Sequence, residues 1–292
     1  MYHDNSMHHD KYMHRDNSMH RDNSMSYLFY TNTIMKHKLK IVTINMCTEF
    51  PDRKPALLDK WIFILSQIKA DIIFLQEMET FNIERLANSL GLKILTIHQH
   101  EATSVLLNPN KLTIVDNTTV KLLNSRLEPF FIGGLHLTDI PSVTHHLNHI
   151  VYKSSETIPL STSMEKILKL CVKTRVPRVT EELLKAKPFS RAIIAGDFNE
   201  PSHFDLDKIA VPVSRLFARQ GFDDSYWVAN KNEPKEDGHT WPASSLYKKE
   251  PDQRIDMIYT KNMRVVKSVV YEGSNSIKWI SDHKMVITDV EI

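Results

Sequence analysis

Four short apolar runs in this chain end on side chains that a core cannot use. KIVTIN reaches Asn45, IIFLQE reaches Glu77, GGLH reaches His136, and AIIAGDFN carries Asp197 and then Asn199. Runs of this length, apolar on both faces, read as strands covered on both sides. The fold must bury the runs and still bring their polar ends to a surface. Between the first two, Leu57, Leu58, Trp61, Ile62, Leu65 and Ile68 recur at helical spacing, with Pro55 suited to the first turn. After Glu77, Ile83, Leu86, Ala87 and Leu90 mark a second helix, which Thr80 is expected to cap and Gly91 to close. Residues 38 to 91 therefore read strand, helix, strand, helix.

The middle of the chain is richer in strands. Leu92 to Ile97, Thr103 to Leu107, Leu112 to Leu122 and Phe130 to Leu137 are expected as strands, separated by turn signals such as NPN. Residues 138 to 160 read as a long loop, a length more often functional than inert. Thr162 and Glu165 have the spacing of a capping box before Ile167, Leu168 and Cys171, and Pro177 is expected to interrupt the helix that follows. A helical stretch near Ile209 to Arg219 precedes a loop through GHTWP. Strands are expected near Ile255 to Tyr259, Val265 to Tyr271 and Met285 to Ile292. Mixed strands with helices between some of them suggest two packed sheets with helices outside.

The first 35 residues are a separate compositional object. They repeat HRDNSM-like hexamers with Met at 7, 13, 19 and 25, a period that fits neither a helix nor a heptad. No apolar face emerges, so residues 1 to 35 read as a disordered tail and residues 36 to 292 as one folded domain. Net charge is only +2, so any positive groove for nucleic acid is local. Two cysteines, Cys47 and Cys171, cannot build a disulfide framework or a cysteine zinc site. No stretch is long and apolar enough to span a membrane, and the N-terminus lacks the pattern of a secretory signal. An intracellular location, cytoplasmic or nuclear, is the expectation.

Each candidate residue has a bland and a chemical use. Glu77 is either a strand-end carboxylate turned to solvent or a ligand for a hard cation. Asn45 either holds a metal-bound water or orients Glu77. His136 is a satisfied core histidine or a phosphate contact. Asp197 and Asn199, two apart, face one side in extended chain; the competing reading is an Asx turn. Arg254 and Asp256 in RIDMIY are also two apart, and Arg254 is suited to clamp phosphate bidentately. Asp282 and His283 are adjacent and serve one site only if the chain bends between them. Asp256 is then suited to fix the His283 tautomer. Trp241 either stacks on a base or sugar or plugs a sheet edge. His145 and His149 have the spacing of one helical turn, but no HExxH partner accompanies them.

Taken in order, TINM, LQE, GLHL, GDFN, GHTWP, RIDMIY and the terminal SDH resemble the endonuclease/exonuclease/phosphatase superfamily. The resemblance covers about Lys38 to Ile292. It implies a four-layer α-β-β-α sandwich, two mixed β-sheets packed face to face with helices on the outer faces, and a site at one edge. It implies Mg²⁺, with Mn²⁺ as a substitute, held by Glu77 with Asn45 and Asp282. It implies catalytic roles for His136, Asp197, Asn199, Asp256 and His283; substrate contacts from Arg254 and Trp241 are expected from the residues themselves.

The resemblance is not uniform. Met46 and Cys47 stand where some abasic-site enzymes have an acidic residue after the asparagine, and Asp139 to Thr162 matches no one subfamily's recognition loop. The expected function is a soluble Mg²⁺-dependent phosphodiesterase acting by in-line water attack, with nucleic acid or a small phosphodiester as substrate. An inositol-polyphosphate phosphatase or sphingomyelinase-like enzyme is the alternative within catalysis. A noncatalytic binding module derived from the same fold is the alternative outside it.

Overall fold

The computed structural model describes residues 36–47, 54–99, 102–151, 158–206, 209–232, 238–243, 250–273 and 279–292. The tail of residues 1 to 35, and residues 152 to 157 of the long loop, lie outside the described residues. In chain order the elements are β1 (Lys38–Asn45), α1 (Lys54–Ile68), β2 (Ile72–Gln76), α2 (Thr80–Leu90), β3 (Lys93–His98), β4 (Thr103–Leu107), β5 (Leu112–Ile114), β6 (Thr119–Leu122), β7 (Phe130–His136), α3 (Val143–Leu147), α4 (Met164–Ala186), β8 (Ala192–Asp197), α5 (Pro212–Arg219), β9 (Asp223–Asp224), α6 (Ser225–Asn230), β10 (Asp256–Lys261), β11 (Arg264–Tyr271) and β12 (Met285–Glu291).

They form two six-stranded sheets, ordered β11-β12-β1-β2-β4-β3 and β5-β6-β7-β8-β10-β9. Each sheet has one parallel pair at its centre, β1 with β2 and β7 with β8, and antiparallel neighbours elsewhere. The two sheets repeat one topology, with β1-β2-β4-β3 matched by β7-β8-β10-β9 and a hairpin added beside the first strand of each.

Alternation along the strands explains the layers. Leu39, Ile41, Ile72, Phe74 and Val105 of one sheet meet Phe130, Ile132, Ile193, Ala195 and Ile258 of the other in the central core. The opposite faces bury outward. Val42, Ile44, Ile73 and Leu75 pack on Leu58, Trp61 and Leu65 of α1 and on Ile83 and Leu86 of α2. Phe131, Ile194, Met257 and Tyr259 pack on Val179 and Leu183 of α4 and on Val213 and Phe217 of α5. The architecture is the α-β-β-α sandwich that the motifs implied.

Period two also places the polar strand ends. Asn45 shares the face of Leu39 and Ile41, His136 that of Phe130 and Ile132, Asp197 that of Ile193 and Ala195, and Asp256 that of Ile258. Register brings Asn45 opposite Gln76, His136 opposite Asp197, and Asp197 opposite Asp256. The ends of β1, β2, β7 and β8 and the start of the antiparallel β10 thus open at one edge of the inter-sheet core.

Four local expectations are corrected. Leu112 to Leu122 is a hairpin, β5 and β6, turned where Asp116 Oδ1 accepts from the Thr118 N–H at 2.8 Å. The N-cap of α2 is Glu79, with Thr80 already helical; Gly91 closes the helix at φ 65°, in the left-handed region that glycine tolerates. The N-cap of α4 is Ser163, whose side chain accepts from the Lys166 N–H, so the capping position is one residue later than Thr162. Pro177 does not break α4. Its exposed ring removes one intrahelical bond on a face where Lys173 is also exposed, so the loss falls outside the core.

Gly196 ends the apolar part of β8 at φ 150°, and a Cβ there would overlap the Leu135 carbonyl oxygen of β7. The Gly196→Ala variant is expected to lose at least about 2 kcal/mol of stability, from backbone strain and the forced separation of two strands. Urea denaturation of the purified variant measures it.

Candidate active site

Asn45 is fully buried at the end of β1, and its Nδ2 donates to Glu77 Oε1 at 2.8 Å and to Asp197 Oδ2 at 3.0 Å. Its own Oδ1 accepts the Cys47 N–H at 3.0 Å. One amide thus joins the two sheets through two carboxylates. In this geometry Asn45 orients Glu77, the second of the two uses read from the sequence. Glu77 follows β2 at φ 58°, with its N–H donated to Ala102 O at 2.9 Å. A non-glycine residue in that region is uncommon and costs backbone energy. Here the turn leaves the carboxylate half-buried beside Asn45.

His136 Nε2 lies 3.5 Å from Glu77 Oε1 and 3.8 Å from Asp197 Oδ2. Asp197 sits opposite two histidines, since His283 Nε2 is also 3.8 Å from the same oxygen. Its other oxygen, Oδ1, accepts the Asn199 N–H at 2.8 Å, and Asn199 Nδ2 donates to Leu137 O at 2.8 Å. The Asx turn is therefore present. It places Asn199 on the wall of the same cleft as Asp197, so the two readings of this pair are compatible. Burial, then the neighbouring Asp256 carboxylate, pushes Asp197 up to about 6.

The bend required between Asp282 and His283 is built by hydrogen bonds from elsewhere. Ser281 Oγ donates to Asn45 O at 2.7 Å and accepts the His283 N–H at 3.0 Å. The Trp279 indole donates to His283 O at 2.7 Å. Ala243 N–H donates to Asp282 O, and Lys284 N–H to Thr240 O, each at 2.6 Å. His283 Nδ1 then lies 2.9 Å from Asp256 Oδ2, which leaves Nε2 toward Asp197. Burial opposes charge on His283, but Asp256, Asp197 and Asp282 around it push it up to about 10. Asp282 lines the cleft, and its Oδ1 is buried without a hydrogen-bond partner, as is Asp256 Oδ1.

The acidic and imidazole groups converge closely enough for a cation. Glu77, His136 and Asp197 each offer a ligand atom, all within 4.8 Å of one another, and so do Asp197, Asp256 and His283. The unpartnered oxygen of Asp282 adds a hard donor beside them. Trp241 lines the cleft and is largely buried, with its ring centroid 5.8 Å from that of His145.

Arg254 is not at the site. Its guanidinium donates to both oxygens of Asp224, at 2.9 and 2.8 Å, and approaches Asp205 at 2.9 Å, almost fully buried. The phosphate-clamp expectation failed because its partners lie far away in sequence, on β9 and in the loop after β8. His145 and His149 are likewise not one helical turn apart in structure. α3 ends at Leu147, and His149 stands at φ 54°.

Sequence reasoning missed several residues of this region. Thr240 is fully buried, and its Oγ1 accepts from both Ile255 and Asp256 N–H groups, fixing the start of β10. Ser281 holds the SDH bend. Ser142, Glu250 and Gln253 complete the cleft wall. A threonine beside GHTWP's tryptophan and a serine before DH were visible as residues, but their partners are long-range.

No family model and no curated protein matches the chain in sequence comparison. Structure comparison does find relatives of the fold. An endonuclease/exonuclease/phosphatase family protein from Bacteroides thetaiotaomicron shares 15% identity over 88% of this chain and 98% of its own, with TM-score 0.59. A functionally unknown conserved protein from Enterococcus faecalis shares 15% identity over 86% and 99%, with TM-score 0.58. The chain has the fold of the endonuclease/exonuclease/phosphatase superfamily. D. rerio TDP2, in a complex with a single-strand DNA product, is similar at 15% identity over 87% and 98%, with TM-score 0.56. Among the described residues no helix is long and apolar enough to cross a membrane.

The Arg254 assignment is open to measurement. Arg254→Met should cost about 3–5 kcal/mol, because it leaves Asp224 and Asp205 as uncompensated buried charges. Denaturant unfolding should show that loss. A full-stability variant with altered substrate affinity would return Arg254 to the substrate.

Proposed function

We propose that this chain is a metal-dependent phosphodiesterase that hydrolyses a nucleic acid or nucleotide-linked phosphodiester by in-line attack of water. The observation that carries this reading is the convergence of Glu77, His136, Asp197, Asp256, Asp282 and His283 at one edge of the inter-sheet core. Glu77 and Asp282 are the residues assigned to hold the cation, with Asn45 aligning Glu77. A divalent cation held there, Mg²⁺ or Mn²⁺ in its place, would supply Lewis-acid offset of the charge on the phosphate and the leaving group.

The remaining steps belong to the chain's own groups. Asp197, fixed by Asn45 and by the Asx turn, orients the attacking water and accepts its proton. His283, held at Nδ1 by Asp256, presents Nε2 as a donor to a phosphate oxygen. His136 and Asn199 line the same wall and complete a set of donors for charge that grows in the transition state. Trp241 supplies an apolar wall rather than a charged contact.

Room on both sides of the phosphorus favours a diester. Glu77 lines a cleft of about 390 Å³ toward His283 and Trp241, and a second depression of about 510 Å³ toward α2 and the β3–β4 turn. A monoester needs only one of these. The single-strand DNA held by the TDP2 relative supports nucleic acid as the substrate class.

Hydrolysis of bis(p-nitrophenyl) phosphate and of labelled DNA and RNA strands, with Mg²⁺ or Mn²⁺ and with EDTA, tests this reading. EDTA should abolish turnover, and added cation should restore it. Asp197→Ala and His283→Ala should each lose about 10²–10³ in rate while still folding and unfolding in one cooperative thermal transition. Titration calorimetry should show weaker Mg²⁺ binding in Glu77→Gln and Asp282→Asn. Turnover that survives both EDTA and Asp197→Ala would sink the assignment.

A further inference from the structure

We infer that the cleft wall formed by Gln253, Glu250 and Trp241 is a recognition subsite for a planar hydrogen-bonding ring, the chemistry of a nucleobase attached to the scissile phosphate. The inference rests on the phosphodiesterase reading for the position of that phosphate, and on separate residues for the ring.

Gln253 is the central observation. Its relative exposure is 9%, it lines the cleft, and among the described residues its side-chain amide makes no hydrogen bond. Its backbone is rigid: Gln253 N–H donates to Trp241 O at 2.8 Å, and Gln253 O accepts from Thr240 and Trp241 N–H groups, each at 3.0 Å. A backbone-fixed amide that opens on the cleft is placed to meet a ligand edge that accepts and donates at once.

Glu250 extends that edge. Its Oε2 is engaged by His145 Nε2, and His145 Nδ1 is engaged in turn by Ser142 Oγ. Glu250 Oε1 makes no hydrogen bond among the described residues. The short helix α3 and the GHTWP–RID segment are thereby joined across the cleft, and one carboxylate oxygen is held ready to accept. Burial lowers the proton affinity of His145 against the pull of Glu250, which suits a hydrogen-bonded spacer rather than a group that takes up a charge.

Trp241, Ile255 and Leu137 give the wall an apolar surface in the same space, with Thr138, Asp139 and Ser142 as further polar lining. Flat apolar surfaces with one polar edge match a heterocycle, which is apolar on its faces and polar on its rim. An acyl chain would leave the Gln253 amide and the Glu250 carboxylate without partners. Gln and a carboxylate together favour a ring with an exocyclic amino group, adenine, cytosine or guanine, over uracil, since the amide uses one donor and one acceptor, the carboxylate needs a second donor, and the uracil edge has a single N–H.

The experiment compares p-nitrophenyl esters of adenosine, cytidine and uridine monophosphates, in both 5′ and 3′ series, with methyl p-nitrophenyl phosphate. The wild type should prefer the adenosine or cytidine ester, in kcat/KM, over the uridine and methyl esters. Gln253→Leu, close in volume, should reduce the ratio of adenosine or cytidine ester to methyl ester by about tenfold or more. A ratio unchanged in Gln253→Leu would overturn the subsite. Calorimetric binding of AMP and CMP against inorganic phosphate, with Mg²⁺ present, reads the same subsite without turnover. The wild type should bind AMP or CMP more tightly than phosphate, and Gln253→Leu should lose that difference. Equal binding of nucleotide and phosphate by the wild type would overturn the subsite. Failure of every ester to react would instead overturn the phosphodiesterase reading, with nucleotide binding still deciding the subsite.

Discussion

The structure depends on the packing of one sheet face against another. Phe74 and Ile41 on one side, Ile132 and Ala195 on the other, form a core that neither sheet could bury alone. Each strand of that interface points every second residue inward. When the apolar supply on β1, β7, β8 and β10 runs out, the next inward residue still points between the sheets. Asn45, His136, Asp197 and Asp256 occupy those positions, so the candidate site is the polar rim of the central core. These four need no loop to bring them together, whereas Asp282 and His283 arrive through the bend that Ser281 holds. The parallel pairs β1/β2 and β7/β8 run the same way to the same edge, and the register across them does the alignment.

That arrangement carries an electrostatic cost, which the surrounding residues partly offset. Asp197 and Asp256 are both buried and face each other across β8 and β10. Like charges that close raise each other's proton affinity, as does desolvation, and both act on Asp197. Asn45 donates to Asp197, and His283 stands between the two carboxylates as the compensating imidazole. Asp282 Oδ1 and Asp256 Oδ1 stay unpartnered within the protein. A cluster with this excess of acceptors is well matched to a hard cation and poorly matched to a purely structural role.

What could be read from the sequence follows from range. The strand ends were legible because period two is local, and so were α1 and α2, whose stripes recur within one segment. The fold followed from the order of those fragments. Local expectations failed where a neighbouring residue competed for the same task. Ser163 took the cap from Thr162, and an Asp116 turn divided what looked like one strand. The site was legible to the extent that its groups end strands. Arg254 was misread because its spacing from Asp256 is local information, whereas the Asp224 and Asp205 carboxylates that hold it are brought in by the tertiary fold. Ser281, Thr240 and Gln253 were invisible as site residues for the same reason.

The repeated topology sharpens the division between chemistry and selection. The halves β1-β2-β4-β3 and β7-β8-β10-β9 each deliver polar residues from equivalent strand ends, so the reacting groups are a property of the shared framework. The segments that differ between the halves are the connections. After β7 the chain leaves through Thr138 and Pro141, whose carbonyls are held by the buried Arg175 of α4 at 2.8 and 2.7 Å, and Arg175 itself lies 3.5 Å from Glu200 in the segment that follows Asn199. The connection then reaches Ser142 and His145, which hold Glu250 in front of β10. A continuous set of buried contacts therefore links α4, the turn after Asp197 and the far wall of the cleft. That wall is built by connections, and its backbone also bonds to the Asp282–Lys284 bend through Thr240 and Ala243, so its side chains are free to differ only where that backbone pairing is kept. In the proposed reading, selectivity belongs to that wall and the reaction to the strand ends.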